Sequence, residues 1–356
     1  MTEVSVTLRT EPRDYSLTGP EAERAADRGL VSAQWYQPSV PRSTLKQLVA
    51  RSNGRAARDT LVWLGLLCIS GLLAFFAWGT WWAIPAFAAY GTLYGSTSDA
   101  RWHECGHRTA FRAQWANSAV YHLASFMALR EPVSWRWSHA RHHEDTIIVG
   151  RDAEIAVARP TPLWKIAIEL VAVRSAIKET RKVALNTIGR LTDEEREFIP
   201  ASEHRRAIWS GRGFVAIWAA VITWSVLIGS IEPLMFIGLP SLYGRWLLVV
   251  YGLTQHAGLA EDVLDHRLNS RTVKMNSINR FMYLNMNFHI EHHMFPTVPY
   301  HALPQLHALL APDLPAPYSS IRAAYREILP ALKRQANDST YFVQRALPNA
   351  AVETSS

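Results

Sequence analysis

The chain has 356 residues, 49% of them hydrophobic, and is long enough for one large core or two ordinary domains. Its two cysteines, Cys68 and Cys105, exclude a disulfide framework and a cysteine-based zinc or iron–sulfur site. The net charge of +7 is not arranged as a basic stripe with interleaved aromatic residues, so we expect no nucleic-acid partner.

The first 59 residues are polar and contain no apolar core of a secretion signal. We expect them to form a cytoplasmic N-terminal segment. From residue 60 to residue 98 the chain then carries no charge, which is about twice the roughly 20 residues that a helix needs to cross a bilayer. The tryptophan-rich stretch "WGTWW" at 78–82 divides this run into two predicted spans, 60–78 and 80–98, with aromatic residues at the interface.

A second pair of apolar runs predicts spans at 213–231 and 233–255, and only Arg245 interrupts the latter. The predicted fold is therefore an all-α integral membrane protein. It has four transmembrane helices as two hairpins and a cytoplasmic helical cap that holds a histidine-rich dimetal site. A soluble protein with unusually apolar core helices is the alternative. The predicted domains are the N-terminal segment 1–59, a membrane domain 60–334 and a flexible tail 335–356.

Basic residues flank the outer ends of both hairpins, and the two hairpin turns carry neither lysine nor arginine. By the positive-inside rule both termini and the segment 99–212 are cytoplasmic, in the inner membrane if the cell is bacterial. Within that segment, residues 120–129 are apolar but too short to cross, which predicts an interfacial or buried helix. Residues 173–191 form a basic amphipathic pattern, typical of an exposed helix or of one that rests on anionic headgroups.

Histidines are concentrated in three motifs: "HECGH" at 103–107, "HARHH" at 139–143 and "HIEHH" at 289–293. On a helix, positions i, i+3 and i+4 lie on one face, so each motif is expected to aim its imidazoles at a single point. One more histidine ends the fourth span. The nine candidate ligands are His103, His107, His139, His142, His143, His256, His289, His292 and His293. Five histidines without such spacing are left out: His122, His204, His266, His301 and His307.

Nine imidazoles divide naturally between two metal ions with four or five ligands each, whereas a structural zinc site closes at four. Imidazole suits zinc, copper, iron and nickel alike, so the ligand type does not choose the metal. Nearby carboxylates are either acceptors for ring N–H groups or ordinary surface charges: Glu104, Asp145, Asp152, Glu154, Asp262, Asp265 and Glu291. Arg245 either meets a substrate carboxylate or phosphate or, as a structural alternative, only extends its side chain toward the cytoplasmic interface.

The three motifs, in this order and across two hairpins, resemble the histidine boxes of the integral-membrane fatty acid desaturase superfamily over about residues 61–310. "HECGH" is similar to the first box of the acyl-lipid oleate desaturase branch, and Gln255-His256 resembles that branch's additional histidine. The resemblance implies two iron ions bound by the nine histidines, O2 as oxidant, and electrons from a separate ferredoxin- or other reductase-linked donor. It also implies a lipid-like or aliphatic substrate taken from among the membrane lipids.

The leading hypothesis is desaturation of a fatty acyl or related aliphatic substrate. A hydroxylase or monooxygenase acting on an aliphatic or amino-acid-derived compound is the alternative within the same fold. A third alternative is a non-catalytic membrane protein that binds metal or senses it.

Overall fold

The computed structural model describes residues 13–348, and over this range the protein is helical without a β-strand. Two isolated bridges, Thr272 with Phe288 and Val273 with Tyr318, are the extended pairings among these residues. The predicted all-α class is confirmed. The helices are α1 Pro20–Asp27, α2 Arg42–Leu48, α3 Asn53–Ala77, α4 Ala83–Gly91, α5 Thr97–Gly106, α6 Gln114–Met127, α7 Pro132–Glu144, α8 Leu163–Glu169, α9 Val173–Thr187, α10 Asp193–Phe198, α11 His204–Ile228, α12 Glu232–Phe236, α13 Pro240–Tyr243, α14 Trp246–His256, α15 His266–Asn269, α16 Ser277–Met282, α17 His289–Met294, α18 Leu303–Leu310 and α19 Ile321–Gln335.

Three helical stretches among the described residues are long and apolar enough to cross a membrane: Arg42–Ala77, Ala201–Ile228 and Glu232–His256. They cover most of the predicted first and third spans, 60–78 and 213–231, and all of the predicted fourth, 233–255. Their large apolar side chains face outward, and Phe76 and Leu227 are each 78% exposed. So much contiguous apolar surface is stable against lipid and unstable against water, which counts against the soluble alternative.

The first and third spans are longer helices than the sequence predicted. Helix α3 begins at Asn53, because the Ser52 side chain accepts a hydrogen bond from the Arg55 amide at 3.3 Å and caps the helix. Helix α11 begins at His204 and ends at Gly229, whose φ of 62° is the left-handed conformation that glycine tolerates.

The predicted second span, 80–98, is not among the three membrane-length stretches. Here α4 continues through a π-helical segment, Thr92–Ser96, into α5, so that one rod passes from the apolar run to the first histidine motif. Hydroxyl and acidic residues from Thr92 onward make this rod less apolar than the other spans, and residues 94–98 are buried inside the protein. Its sequence is therefore that of a helix covered by neighbours more than by lipid.

The fourth span is a chain of three short helices, α12, α13 and α14. Pro233 and Pro240 stand in the first turns of α12 and α13, and Gly238 between them has a φ of 101°. Helix α13 lies close against α4: a Cβ placed on Gly244 would be 1.8 Å from the Gly91 carbonyl oxygen. Two glycines thus let the two backbones approach each other directly.

The remaining helices build a large core beside the membrane-length stretches. Trp63 of α3, Tyr121 of α6, Ile290 of α17 and Leu306 of α18 are fully buried in it. Helix α6 covers the predicted apolar segment 120–129, and α9 covers most of the predicted amphipathic segment 173–191. The core therefore joins the histidine-bearing helices α5 and α17 directly to the first membrane-length stretch.

Helix α19 ends at Gln335, where the sequence placed the start of a flexible tail. Residues 336–348 lie against the body of the protein: the Val343 amide donates to the Gly258 carbonyl at 2.9 Å, and Arg345 donates to the Tyr318 hydroxyl at 3.1 Å. The rest of the predicted tail, 349–356, and residues 1–12 of the N-terminal segment lie outside the described residues.

Candidate metal centre

Each histidine motif lies on a helix whose start or end is set by local chemistry. The second motif is on α7, which begins with Pro132, and the Glu131 carboxylate caps it by accepting from the Val133 and Ser134 amides. The first motif closes α5 and the third occupies α17. His256 is the last residue of α14.

The nine candidate histidines converge on two clusters, in each of which the ligand-type nitrogen atoms lie within 4.8 Å of one another. The five-histidine cluster contains His103, His107, His139, His143 and His292. The four-histidine cluster contains His142, His256, His289 and His293. All nine predicted positions are therefore brought together, in the predicted division of four and five.

The expectation that each motif aims at a single point is wrong for the second and third motifs. His139 and His143 join the five-histidine cluster while His142 joins the other, and His292 separates from His289 and His293 in the same way. Successive helical residues are turned by about 100°, so positions i and i+4 are about 40° apart while i+3 and i+4 are about 100° apart. In each HxxHH motif the histidines at i and i+4 therefore join one cluster, and the histidine at i+3 joins the other.

The nitrogen atoms inside the clusters are spaced as ligands of a common ion. Nε2 of His139 lies 3.0 Å from Nε2 of His107 and 3.2 Å from that of His143, which is 3.1 Å from Nε2 of His292. In the other cluster, Nε2 of His289 lies 2.9 Å from that of His256 and 3.1 Å from that of His293. Nitrogens about 2.1 Å from one metal ion at octahedral or tetrahedral angles are about 3.0–3.4 Å apart.

Several ring nitrogens have no hydrogen-bond partner among the described residues although they are buried. Both nitrogens of His103 are of this kind, as are Nδ1 of His143, His289 and His292. In His143, His289 and His292 it is Nε2 that faces another imidazole Nε2, and a cation between such facing nitrogens would remove the repulsion of their lone pairs. The donor set therefore fits two imidazole-bound metal ions.

Carboxylates fix the orientation of two rings in the second motif. Nδ1 of His142 donates to Asp152 at 2.8 Å, and Nδ1 of His139 donates to Glu154 at 3.1 Å. Each contact holds the ring proton on Nδ1 and leaves Nε2 free to face its cluster. Asp152, a predicted acceptor, is itself held by the Ile147 amide at 2.8 Å.

Neutral acceptors orient two rings of the four-histidine cluster. Nδ1 of His256 donates to the Asn269 carbonyl at 2.8 Å, and Nδ1 of His293 lies 3.2 Å from the Thr146 hydroxyl. Neither acceptor is predictable from the sequence, because a backbone carbonyl and a threonine hydroxyl carry no distinctive pattern.

Burial keeps these imidazoles in the uncharged form that binds metal. It lowers the pKa of His107 to about 4, and it lowers the pKa of His103, His292 and His293 well below the ordinary value. For His142 burial acts in the same direction, but the charge and hydrogen bond of Asp152 outweigh it and raise the pKa.

Three of the other predicted acceptors do not contact the clustered rings. Glu104 accepts from the Thr109 hydroxyl at 2.7 Å and the Tyr300 amide at 3.2 Å, and burial raises its pKa to about 7. Asp262 binds Arg13 at 2.6 Å and Arg28 at 2.8 Å. The carboxylate of Glu291 binds the ring of His307 instead.

The remaining predicted polar residues lie away from the clusters. Asp145 pairs with Arg141 and Arg151, and Asp265 pairs with Arg267. Arg245 reaches only the Ala128 carbonyl, at 3.4 Å, through its terminal nitrogen, and its Nε has no partner among the described residues. Asp145 and Asp265 are thus held by arginines two to six residues away along the chain, whereas Arg245 contacts a residue that is distant in sequence.

Two residues that the sequence analysis did not select cover the four-histidine cluster. The ring of His266, which was left out for lack of spacing, lies 5.0 Å from that of His293. Trp35 stacks on the other side of His266 at 4.3 Å with an interplanar angle of 5°. His266 starts α15, only ten residues after His256. This short distance along the chain is the one feature of the sequence that could have identified His266.

A cavity of about 70 Å³ opens beside the four-histidine cluster. His142 and His256 line it together with the apolar side chains of Ile155, Val157 and Leu253. The charged side chains of Glu154, Arg159 and Glu261 line it as well.

Comparison with known proteins gives a consistent result. Residues 77–325 match the family model described as fatty acid desaturase, which is more than half of the chain. The "Omega-6 fatty acid desaturase, endoplasmic reticulum isozyme 1" of Glycine max is 26% identical over 260 residues, 64% of this chain. The "Delta(12)-fatty-acid desaturase" of Arabidopsis thaliana is 23% identical over 256 residues, also 64% of this chain.

A third similar protein, the "Delta(12) acyl-lipid conjugase (11E,13E-forming)" of Impatiens balsamina, is 24% identical over 269 residues, 68% of each chain. The chain spans 66% of the length of the soybean relative and 64% of the length of the Arabidopsis relative, just under two thirds.

Proposed function

The chain belongs to the fatty acid desaturase family, and from that premise we propose that it is a membrane-bound, O2-dependent desaturase of a fatty acyl or related lipid-like substrate. The reaction removes two hydrogen atoms from adjacent carbons to form a double bond. With two electrons from an external donor and two protons, O2 leaves as two molecules of water. The names of the relatives, which refer to fatty acid desaturases and an acyl-lipid conjugase, support this substrate class.

One observation carries the proposal: nine histidines, six of them buried and three half-buried, form two adjacent clusters of five and four. His143 belongs to one cluster and His293 to the other, and their rings are 4.5 Å apart. The nine histidines would hold two neighbouring metal ions, whereas a structural zinc site needs only four ligands. We assign the nine histidines as ligands of two iron ions.

Bound at these clusters, the iron ions would supply the redox chemistry that activates O2 against an unactivated C–H bond. The protein's own residues prepare the site. Asp152 and Glu154 keep the protons of His142 and His139 on Nδ1, which directs Nε2 to the clusters. Trp102 packs beside the five-histidine cluster, 5.3 Å from the His139 ring, and helps to exclude water from it.

Membrane topology is also part of the proposal. We place α4 and the start of α5 across the membrane as the second of four spans, paired with α3, and α11 with α12–α14 as the second hairpin. The uncharged sequence from 60 to 98 and the contact of Tyr90 with the Phe236 carbonyl at 2.9 Å support this arrangement. The basic residues at the outer hairpin ends support a cytoplasmic position for the histidine clusters and for both termini.

A separate, reductase-linked donor such as a ferredoxin would deliver the electrons. The cytoplasmic surface that we assign is basic, which suits an acidic electron carrier through electrostatic steering. Membrane lipids would surround the spans and supply the substrate.

The test is metal analysis and Mössbauer spectroscopy on protein grown with 57Fe, with His142→Ala as the comparison. About two irons per chain, reduced in the variant, support the assignment. Tightly bound zinc without iron after iron-replete growth would instead favour the non-catalytic metal-binding alternative.

Product analysis under labelled O2 then separates the two reactions that this fold supports. A new double bond without label identifies a desaturase. Label in the product identifies the hydroxylase alternative and overturns the desaturase proposal.

A further inference from the structure

A large groove lies on the protein away from the histidine clusters, between the end of α5, helices α6 and α7, and the start of the Ala201–Ile228 stretch. Its volume is about 690 Å³. The side chains of four arginines line it: Arg108, Arg136, Arg205 and Arg206. Tyr121 closes one wall and separates the groove from Trp102, which contacts the metal centre.

The charge of this groove is poorly compensated. Glu203 is the acidic residue that lines it, and it is already bound to Arg206 at 2.9 Å. Arg108 and Arg205 have no carboxylate partner among residues 13–348. Arg136 lies over the Tyr121 ring at 4.4 Å, which fixes its position without neutralising it. The groove therefore has an excess of positive charge arranged around a space large enough for a polar group.

The backbone conformation at Arg108 is energetically unfavourable for a residue other than glycine. Its φ of 60° is in the left-handed region, directly after the C-cap residue of α5, where glycine is usual. A non-glycine residue there costs about 1–2 kcal/mol. An arginine at a position that favours glycine indicates that its side chain has a use.

The surroundings of the groove match a lipid better than a soluble anion. Arg205 and Arg206 stand in the first turn of a membrane-length helix, so the groove lies where headgroups would lie. Trp209, which lines it, is 59% exposed, as tryptophans are at a membrane interface. Beyond Trp209 the exposed face of α11 continues with Ile217 and Trp224, along which acyl chains can pack.

We propose that this groove is a binding site for the phosphate-bearing headgroup of an anionic membrane lipid. The guanidinium groups hold the phosphate through charge-assisted hydrogen bonds, and the acyl chains follow α11. The site is distinct from the metal centre, and binding there requires neither metal nor O2.

Affinity measurements on the full-length detergent-purified protein test the proposal, with dihexanoyl phosphatidic acid, dihexanoyl phosphatidylcholine and inorganic phosphate as probes. Phosphatidic acid should bind more tightly than the other two. The double variant Arg205→Gln/Arg206→Gln should weaken its binding about thirtyfold, as expected for two arginines at a phosphate. The matched control, Arg174→Gln/Arg181→Gln on the exposed face of α9, removes the same charge outside the groove and should change the affinity less than about twofold.

A second variant guards against misfolding. Arg108→Gly removes one guanidinium at a backbone position that suits glycine, so it should unfold at no lower temperature than the parent while binding phosphatidic acid more weakly. Both readouts are independent of catalysis, so they stand whether or not the chain is a desaturase.

Three results would overturn the proposal. Inorganic phosphate bound as tightly as phosphatidic acid would make the groove a site for a free ion. An equal loss of affinity in the α9 control would show that the effect comes from general surface charge. Unchanged lipid binding in the groove variants, together with weaker binding of an acidic ferredoxin, would make the groove a protein-docking surface.

Discussion

The histidine clusters depend on single residues outside them, and Asp152 is the clearest example. It is fully enclosed, accepts from His142 at 2.8 Å and from the Ile147 amide at 2.8 Å, and so ties the ring to the loop that follows α7. Loss of such an acceptor leaves the ligand in place but frees its orientation.

Asp152→Asn should therefore lower metal affinity by about 10–100-fold while the protein still folds. Metal content after dialysis against a weak chelator measures this. Asp193→Asn is the matched control, because Asp193 is 85% exposed and contacts only Arg196, at 3.5 Å. Equal metal retention in Asp152→Asn and the parent protein would show that the carboxylate does not orient His142.

Asp262 has a different role from the one expected of it. It binds no clustered histidine, and instead joins Arg13 and Arg28 of the N-terminal segment to the Val149 amide, which it accepts at 2.9 Å. This places the segment that carries Trp35 against the four-histidine cluster.

Asp262→Ala should destabilise the protein by about 1–3 kcal/mol, because it leaves the buried Val149 amide without its acceptor and removes the carboxylate that binds Arg28, while Arg13 keeps Glu21 and Glu261. Thermal unfolding in detergent, with Asp193→Ala as the control, measures the effect. A variant that unfolds at the parent's temperature would mean that the N-terminal segment is held by other contacts.

Between elements, the approach of α13 to α4 decides how the interrupted fourth span fits into the bundle. The Gly244 and Gly91 backbones are in direct contact, with no room for a methyl group. Helix α14, which carries His256, starts two residues later. The glycine contact therefore sets the position of the helix that carries one ligand.

Gly244→Ala should destabilise the protein by about 1–3 kcal/mol or more through overpacking against backbone atoms, which cannot move aside. Gly213→Ala inside α11 is the control. Its added methyl group would meet nothing within 4 Å, and it should stabilise by about 0.5–1 kcal/mol because alanine favours a helix. Unfolding temperatures of both variants give the comparison, and a neutral Gly244→Ala would contradict the close packing.

Across the whole molecule, the metal centre is the point where distant parts of the chain meet. Four helices, α5, α7, α14 and α17, each contribute ligands, and the clusters hold residues as far apart in sequence as His103 and His292. Ions bound there would cross-link the fold, and without them buried lone pairs face each other.

Removing the metal with a strong chelator should lower the unfolding temperature, since an ion that binds only the folded state stabilises it by mass action. His122→Ala, which alters a histidine outside both clusters, should respond to the chelator as the parent does. In His142→Ala the chelator should lower the unfolding temperature by less than it does in the parent protein. Identical unfolding temperatures with and without chelator would show that the clusters do not bind metal in the folded protein.

The local sequence contains enough information to identify the nine histidines, the helical class and three membrane-length stretches, because spacing along a helix and uninterrupted apolar length are properties of neighbouring residues. Which cluster each histidine joins depends on tertiary structure. His142 and His292 each join a different cluster from the other histidines of their own motif, because another helix lies on the side that they face. The same holds for the contact of His266 with His293, for the Asn269 carbonyl at His256, and for the Tyr300 amide that Glu104 accepts. These contacts join residues whose distance along the chain bears no relation to their distance in space, so only the packing of the helices decides them.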